Sequence, residues 1–130
     1  MDNLPVNFVC YNDSLRFINW LSNGQPTGAI GNATTERGVY NMSLSKPVRG
    51  ANAKVWLPSE NEWFKAAYYK GGGANAGYWG FATRSDTAPA AGAPAGGANA
   101  ANYQSATPAV GAPDYFNPVG AYTSTVSAYG

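Results

Sequence analysis

The stretch Val55-Trp56-Leu57-Pro58-Ser59-Glu60-Asn61-Glu62-Trp63-Phe64-Lys65-Ala66-Ala67 decides the reading of this chain. It predicts a short buried strand, Val55 to Leu57, running straight into a capped helix. Ser59 stands where an N-cap belongs and Glu62 follows three residues on, so the two form a capping box. The hydroxyl takes the N3 amide, and the carboxylate reaches back to the cap amide. Glu60 and Glu62 put negative charge in the first turn, where the helix dipole favours it. Capping accounts for both carboxylates, so they are not read as an acid–base pair. Trp63, Ala66 and Ala67 share one face of the helix, with Phe64 and Tyr68 beside it. Gly71-Gly72-Gly73 is expected to end it; lacking a Gly-Lys-Ser/Thr ending, that run is no phosphate loop.

Upstream, residues 4–11 read as an extended segment in which Val6, Phe8 and Cys10 alternate. Asn12 or Asp13 should cap a helix that runs to about Ser22 and stops at Gly24. Leu15, Ile18 and Leu21 give that helix an apolar stripe. Between Thr27 and Asn52 the chain is polar and punctuated by glycine, except for Tyr40, Met42 and Leu44, which alternate as in a hairpin strand. Downstream of residue 71 the regular pattern fades. Ala88 to Ala101 is low in complexity and short of surface to bury. Aromatics still recur, among them Tyr78, Trp79, Tyr103, Tyr115, Phe116 and Tyr122, as expected of long ordered loops anchored on a core. Two helices among short strands and long loops predict an α+β fold.

Composition narrows the chemistry. The 130 residues fit one domain, 1–130, with the low-complexity loop at about 88–101. Charged residues make up 12% and the net charge is +1, which disfavours nucleic acid and acidic lipid as partners. No apolar run approaches the roughly 20 residues of a membrane span. The N-terminus has neither a basic nor an apolar leader, so no signal peptide is visible, and the compartment stays open between cytoplasm and export. There is no histidine and one cysteine, Cys10. That excludes Ser-His-Asp and Cys-His nucleophiles, His-containing metal sites and an internal disulfide. Cys10 reads as a buried structural thiol, because a free cysteine usually packs as a small hydrophobe.

Two elements, Pro5-Val6-Asn7-Phe8-Val9-Cys10-Tyr11-Asn12-Asp13 and Leu57-Pro58-Ser59-Glu60-Asn61-Glu62-Trp63 followed by Ala66-Ala67, resemble the formylglycine-generating enzyme, or sulfatase-modifying factor, family. Members carry P-V-x-x-V-S-W-x-D-A, then R-L-P-T-E-A-E-W-E-x-A-A, then a Tyr/Trp-Gly stretch, an A-N-x element and G-N-V-W-E-W. The first four have counterparts here and the last has none. The 27–52 insertion, with Thr34-Thr35-Glu36-Arg37-Gly38-Val39-Tyr40, is similar to a bacterial, cyanobacterial-like branch.

The resemblance implies a C-type-lectin-like variant of the α+β class. It implies oxidation of a sulfatase cysteine to formylglycine, with copper held by two cysteines and molecular oxygen as oxidant. A single thiolate at Cys10 cannot reproduce that copper site, so no catalytic residue is assigned and the chain reads as a partial domain, short at both ends. It further implies calcium, held by the Asn102 side chain, a carbonyl at Tyr103 and the carboxylate of Asp114, with other carbonyls and water completing the shell. An asparagine turning a loop and a solvent-facing aspartate remain the alternative at those positions. The implied partner is a cysteine-containing protein such as a sulfatase. A non-catalytic lectin-like module that binds protein or glycan is the alternative function, favoured if Trp79 and Tyr115 prove exposed together.

Overall fold

The computed structural model describes residues 3–94, 97–103, 110 and 116–126. The chain divides into two compact units, Val6–Pro58 and the combination of Met1–Pro5 with Ser59–Gly130. Among the described residues the regular elements are helix α1 (Tyr11–Ser22), helix α2 (Glu60–Tyr68), a single 3-10 turn at Gly73–Asn75, and strands β1 (Ala90–Ala91) and β2 (Ala100–Ala101). The content is α+β, as the sequence predicts.

In the Val6–Pro58 unit, the cap of α1 lies two to three residues before the expected one. Cys10 is the N-cap in extended backbone, and its N–H donates to Asp13 Oδ2 at 3.1 Å. Asp13 is thus the N3 partner of a capping box rather than the cap itself. The far end matches the expectation. Asn23 N–H donates to Asn19 O at 2.9 Å, Gln25 N–H donates to Trp20 O at 2.9 Å, and Gly24 turns the chain at φ +84°.

Cys10 is exposed, which corrects its reading as a core thiol. The expected 4–11 strand is absent too. Phe8 sits at φ +56°, in the left-handed region, and its side chain is 99% exposed. A strand cannot pass through that backbone conformation.

Leu15 lies at the centre of this unit, fully buried with Val39 and Tyr40; Ile18, Met42, Ala53 and Leu57 pack around them. The Tyr40–Leu44 and Val55–Leu57 strands do not form either. Asn41 Oδ1 accepts from Ser43 N–H at 3.1 Å and Ser43 Oγ at 2.7 Å, and Leu44 N–H returns to Asn41 O at 3.2 Å. A side chain that mimics the backbone in this way competes with a ladder and makes a turn. Leu57 N–H donates to the Tyr40 hydroxyl at 3.1 Å, and that hydroxyl faces Leu57 O at 3.5 Å. One phenol therefore occupies both polar groups of a residue expected to pair in a sheet.

The described part of the other unit is built on α2. Ser59 is its N-cap: Glu62 N–H donates to Ser59 Oγ at 3.3 Å, and Ser59 N–H donates to Glu62 Oε2 at 2.8 Å. The capping box is as read from the sequence. The helix stops at Tyr68, ahead of the glycines, because the next residues pair elsewhere. Lys70 N–H donates to Gly77 O and Trp79 N–H to Tyr68 O, both at 2.8 Å, around the antiparallel bridge Tyr69–Tyr78. The expected aromatic face exists as a cluster rather than a buried stripe. Phe64 stacks on Tyr68 at 4.7 Å and meets Tyr78 at 4.9 Å, while Trp63 remains 53% exposed.

Candidate functional site

Asn102 and Tyr103 follow directly on β2, just past the low-complexity stretch 88–101. Here β1 and β2 pair in parallel, Ala90 with Ala100 and Ala91 with Ala101. Alanine suffices because the order comes from polar side chains around the pair. Asn99 Nδ2 lies 3.2 Å from Ser85 Oγ and 3.1 Å from Thr87 O, and Asn99 Oδ1 accepts from Thr83 Oγ1 at 2.6 Å. Thr125 Oγ1 accepts from Ala100 N–H at 3.3 Å and faces Gly97 O at 3.2 Å. The Tyr122 hydroxyl donates to Gly92 O at 2.5 Å. Ala100 ends up 1% exposed, so this segment buries more than its composition predicts.

Of the expected calcium ligands, Asn102 is half-buried and already has an interaction partner. Tyr103 is exposed, and its phenol donates to Pro89 O at 2.9 Å, which holds the chain beside β1. Asp114 lies outside the described residues. Among the described residues no group of three or more carboxylate or thiol side chains converges on a metal position. The donors nominated here are an amide oxygen, a peptide carbonyl and a carboxylate. All are hard oxygens that suit calcium, and none suits copper.

Most described carboxylates have structural work. Glu36 receives Arg16 Nε on Oε1 at 2.7 Å and Arg16 Nη2 on Oε2 at 3.3 Å. The paired guanidinium lowers the Glu36 carboxyl below its ordinary value and raises Arg16. Asp86 accepts from Lys70 Nζ at 2.8 Å and Gly80 N–H at 2.9 Å, and the Lys70 bond leads in lowering its carboxyl. Asp13 is lowered by its bonds to Cys10, the thiol first and the amide second. Glu62 caps α2. Each of these carboxylates is engaged in an ion pair or a capping hydrogen bond.

Lys70 Nζ also lies 4.0 Å from the Trp79 ring centroid, so a cation already covers one face of the half-buried Trp79. Tyr115, its proposed companion in a binding surface, lies outside the described residues.

Sequence reasoning missed a polar hub in the Val6–Pro58 unit. Asn19 is fully buried: its Nδ2 donates to Thr35 O and Tyr40 O, and its Oδ1 accepts from Tyr40 N–H, each at 2.8 Å. Asn23, one turn on, donates to Thr34 O at 2.9 Å and Arg37 O at 2.8 Å. Together they fix the Thr34–Tyr40 insertion against α1. Their spacing with Leu15, four residues apart along one helix face, was the available signal.

Two helices with two short strands make a small α+β architecture. The family profile described as "Sulfatase-modifying factor enzyme 1-like domain" matches residues 1–130, and the chain belongs to that family. Neither the curated proteins nor the solved structures yield a match. No described helix is long and apolar enough to cross a membrane.

Proposed function

We propose that this chain is a scaffold domain of a formylglycine-generating-type system, adopting the family's C-type-lectin-like variant as a single domain over 1–130. It engages a cysteine-containing protein such as a sulfatase. The observation that carries the reading is the family match over 1–130. When bound, copper would supply oxygen activation in the family reaction. With Cys10 as the one thiol, these 130 residues do not hold that ion by themselves. Calcium is the ion whose chemistry suits the chain: the Asn102 amide oxygen, the Tyr103 carbonyl and the Asp114 carboxylate would hold it, with carbonyls and water completing the shell.

The test is to incubate the chain with copper, oxygen and a cysteine-containing peptide from a sulfatase. Peptide retention without conversion of cysteine to aldehyde, read by mass spectrometry, is the expected result. Failure to retain the peptide refutes the scaffold role, and aldehyde formation refutes the assignment of no catalytic residue. For calcium, the melting temperature should rise with millimolar calcium over chelator, and Asn102→Ala should abolish the rise. An equal rise in that variant refutes the site.

A further inference from the structure

Between Glu36 and Glu60 the chain carries Arg37, Lys46, Arg49 and Lys54 and no acid. All four are exposed. Backbone hydrogen bonds tie the Arg37, Arg49 and Lys54 segments together. Gly50 N–H donates to Val39 O at 2.9 Å, which ties the 49–50 corner to the segment leaving Arg37. Ala53 N–H donates to Gly50 O at 3.2 Å, a turn that brings Lys54 back towards Arg49. The base of the cluster is rigid, because Asn23 grips Arg37 O and Asn19 grips both polar groups of Tyr40.

The nearest acid in sequence is not available to neutralise it, since both Glu36 oxygens are held by Arg16. Across Val6–Pro58 the charged residues are Arg16, Arg37, Lys46, Arg49 and Lys54 against Asp13 and Glu36, five minus two, or +3. The whole chain is only +1, so the positive field is local to this unit. Apolar side chains stand among the cations: Leu44 is 51% and Val48 73% exposed, and the Arg49 guanidinium lies 4.7 Å from the Trp56 ring centroid.

We infer that the surface formed by Arg37, Lys46 and Lys54 around the Val39–Gly50 tie is a docking site for an acidic polypeptide segment. A peptide suits it better than an inorganic polyanion. Spaced carboxylates can meet spaced cations, and intervening side chains can use Val48 and Leu44, which a chain of phosphates would leave wet.

The experiment titrates the full chain with a polyglutamate peptide, following tryptophan fluorescence, at about 20 mM and about 300 mM NaCl, since exposed charges are screened at the higher salt. Binding should be present at low salt and weaken strongly at high salt. The triple variant Arg37→Gln/Lys46→Gln/Lys54→Gln should bind about tenfold less tightly, as expected for losing three exposed ion pairs. Its melting curve should match the unmodified chain, because none of the three side chains makes a described ion pair. Lys65→Gln, on α2, should change nothing. No polyglutamate binding at low salt overturns the inference, as does an unchanged affinity in the triple variant or an equal loss in Lys65→Gln. Tighter capture of inorganic polyphosphate than of polyglutamate also overturns it, by assigning the surface to polyanions at large.

Discussion

Replacing Asn19 by alanine should cost the Val6–Pro58 unit about 3–5 kcal/mol. The side chain is fully buried and makes three hydrogen bonds of 2.8 Å. Its loss orphans the Tyr40 N–H, at roughly 1–3 kcal/mol for a buried unsatisfied donor. The Thr35 and Tyr40 carbonyls lose partners as well, each at the lower end of that range. A void of roughly 25 Å³ adds about 0.6 kcal/mol at ~24 cal/mol per Å³. Native domains hold only about 5–15 kcal/mol in reserve, so a third or more of the stability is at stake.

The assay is urea unfolding followed by tryptophan fluorescence; Trp20, whose indole N–H donates to Pro26 O at 3.0 Å, reports on this unit. With a urea slope of about 1–2 kcal/mol/M, the midpoint should fall by roughly 1.5–5 M. Asn19→Asp separates hydrogen bonding from cavity formation. It leaves no void and keeps the acceptor for Tyr40 N–H, yet sets a carboxylate oxygen against two carbonyls. It should therefore destabilise at neutral pH as much as alanine does, and partly recover on acidification, when the protonated acid can donate. A loss below about 1 kcal/mol for Asn19→Ala, or a neutral-pH Asn19→Asp as stable as the unmodified chain, would refute the hub.

Other outcomes follow from the same geometry. Gly38→Ala should destabilise by about 1–3 kcal/mol, because Gly38 sits at φ +155° and an added Cβ would stand 2.9 Å from Asn19 Oδ1 and 3.1 Å from Asn23 Oδ1. An unchanged melt in that variant rejects the close approach. Ser59→Ala should cost about 1 kcal/mol and reduce helical circular dichroism, whereas Ser59→Asp, another capping residue, should restore it. Glu36 has its carboxyl lowered by Arg16, so its contribution is present above the unfolded carboxylate pKa of about 4 and is lost as pH falls through the lower folded value. Melting temperature measured from neutral pH into acid should drop in that window, and Glu36→Gln should flatten the drop. An identical pH profile in the variant counts against the ion pair as its source.

Both helices were legible in the sequence because their signals are local. Ser59 and Glu62 lie three residues apart and meet within one turn, whatever the rest of the chain does. Leu15, Ile18 and Leu21 announce the inner side of α1 by spacing alone. The strands were not legible. The Tyr40–Leu44 alternation has the right period, but Asn41 captures Ser43 and Asn19 captures Tyr40 before any ladder can form. At the nominated calcium position, the motif Ala101-Asn102-Tyr103 could be read directly, while the Asn99 network and the parallel alanine pair that hold it could not. Composition describes how much apolar surface a segment has to bury. It is silent about polar side chains that arrive from residues 83–87 and 122–125 to order it.

The sequence by itself determined the family, the capped helix α2, the apolar stripe of α1 and that these 130 residues carry one cysteine and no histidine. Each rests on residue identity or on contacts within a single helical turn. Only the tertiary structure decided that Cys10 is an exposed cap, that Asn19 is a buried hub and that a backbone hydrogen bond joins Val39 to Gly50 within the cationic 37–54 stretch. The hub depends on groups sixteen or more residues apart competing for the same hydrogen bonds, and the winner is set by which side chain the fold brings within reach.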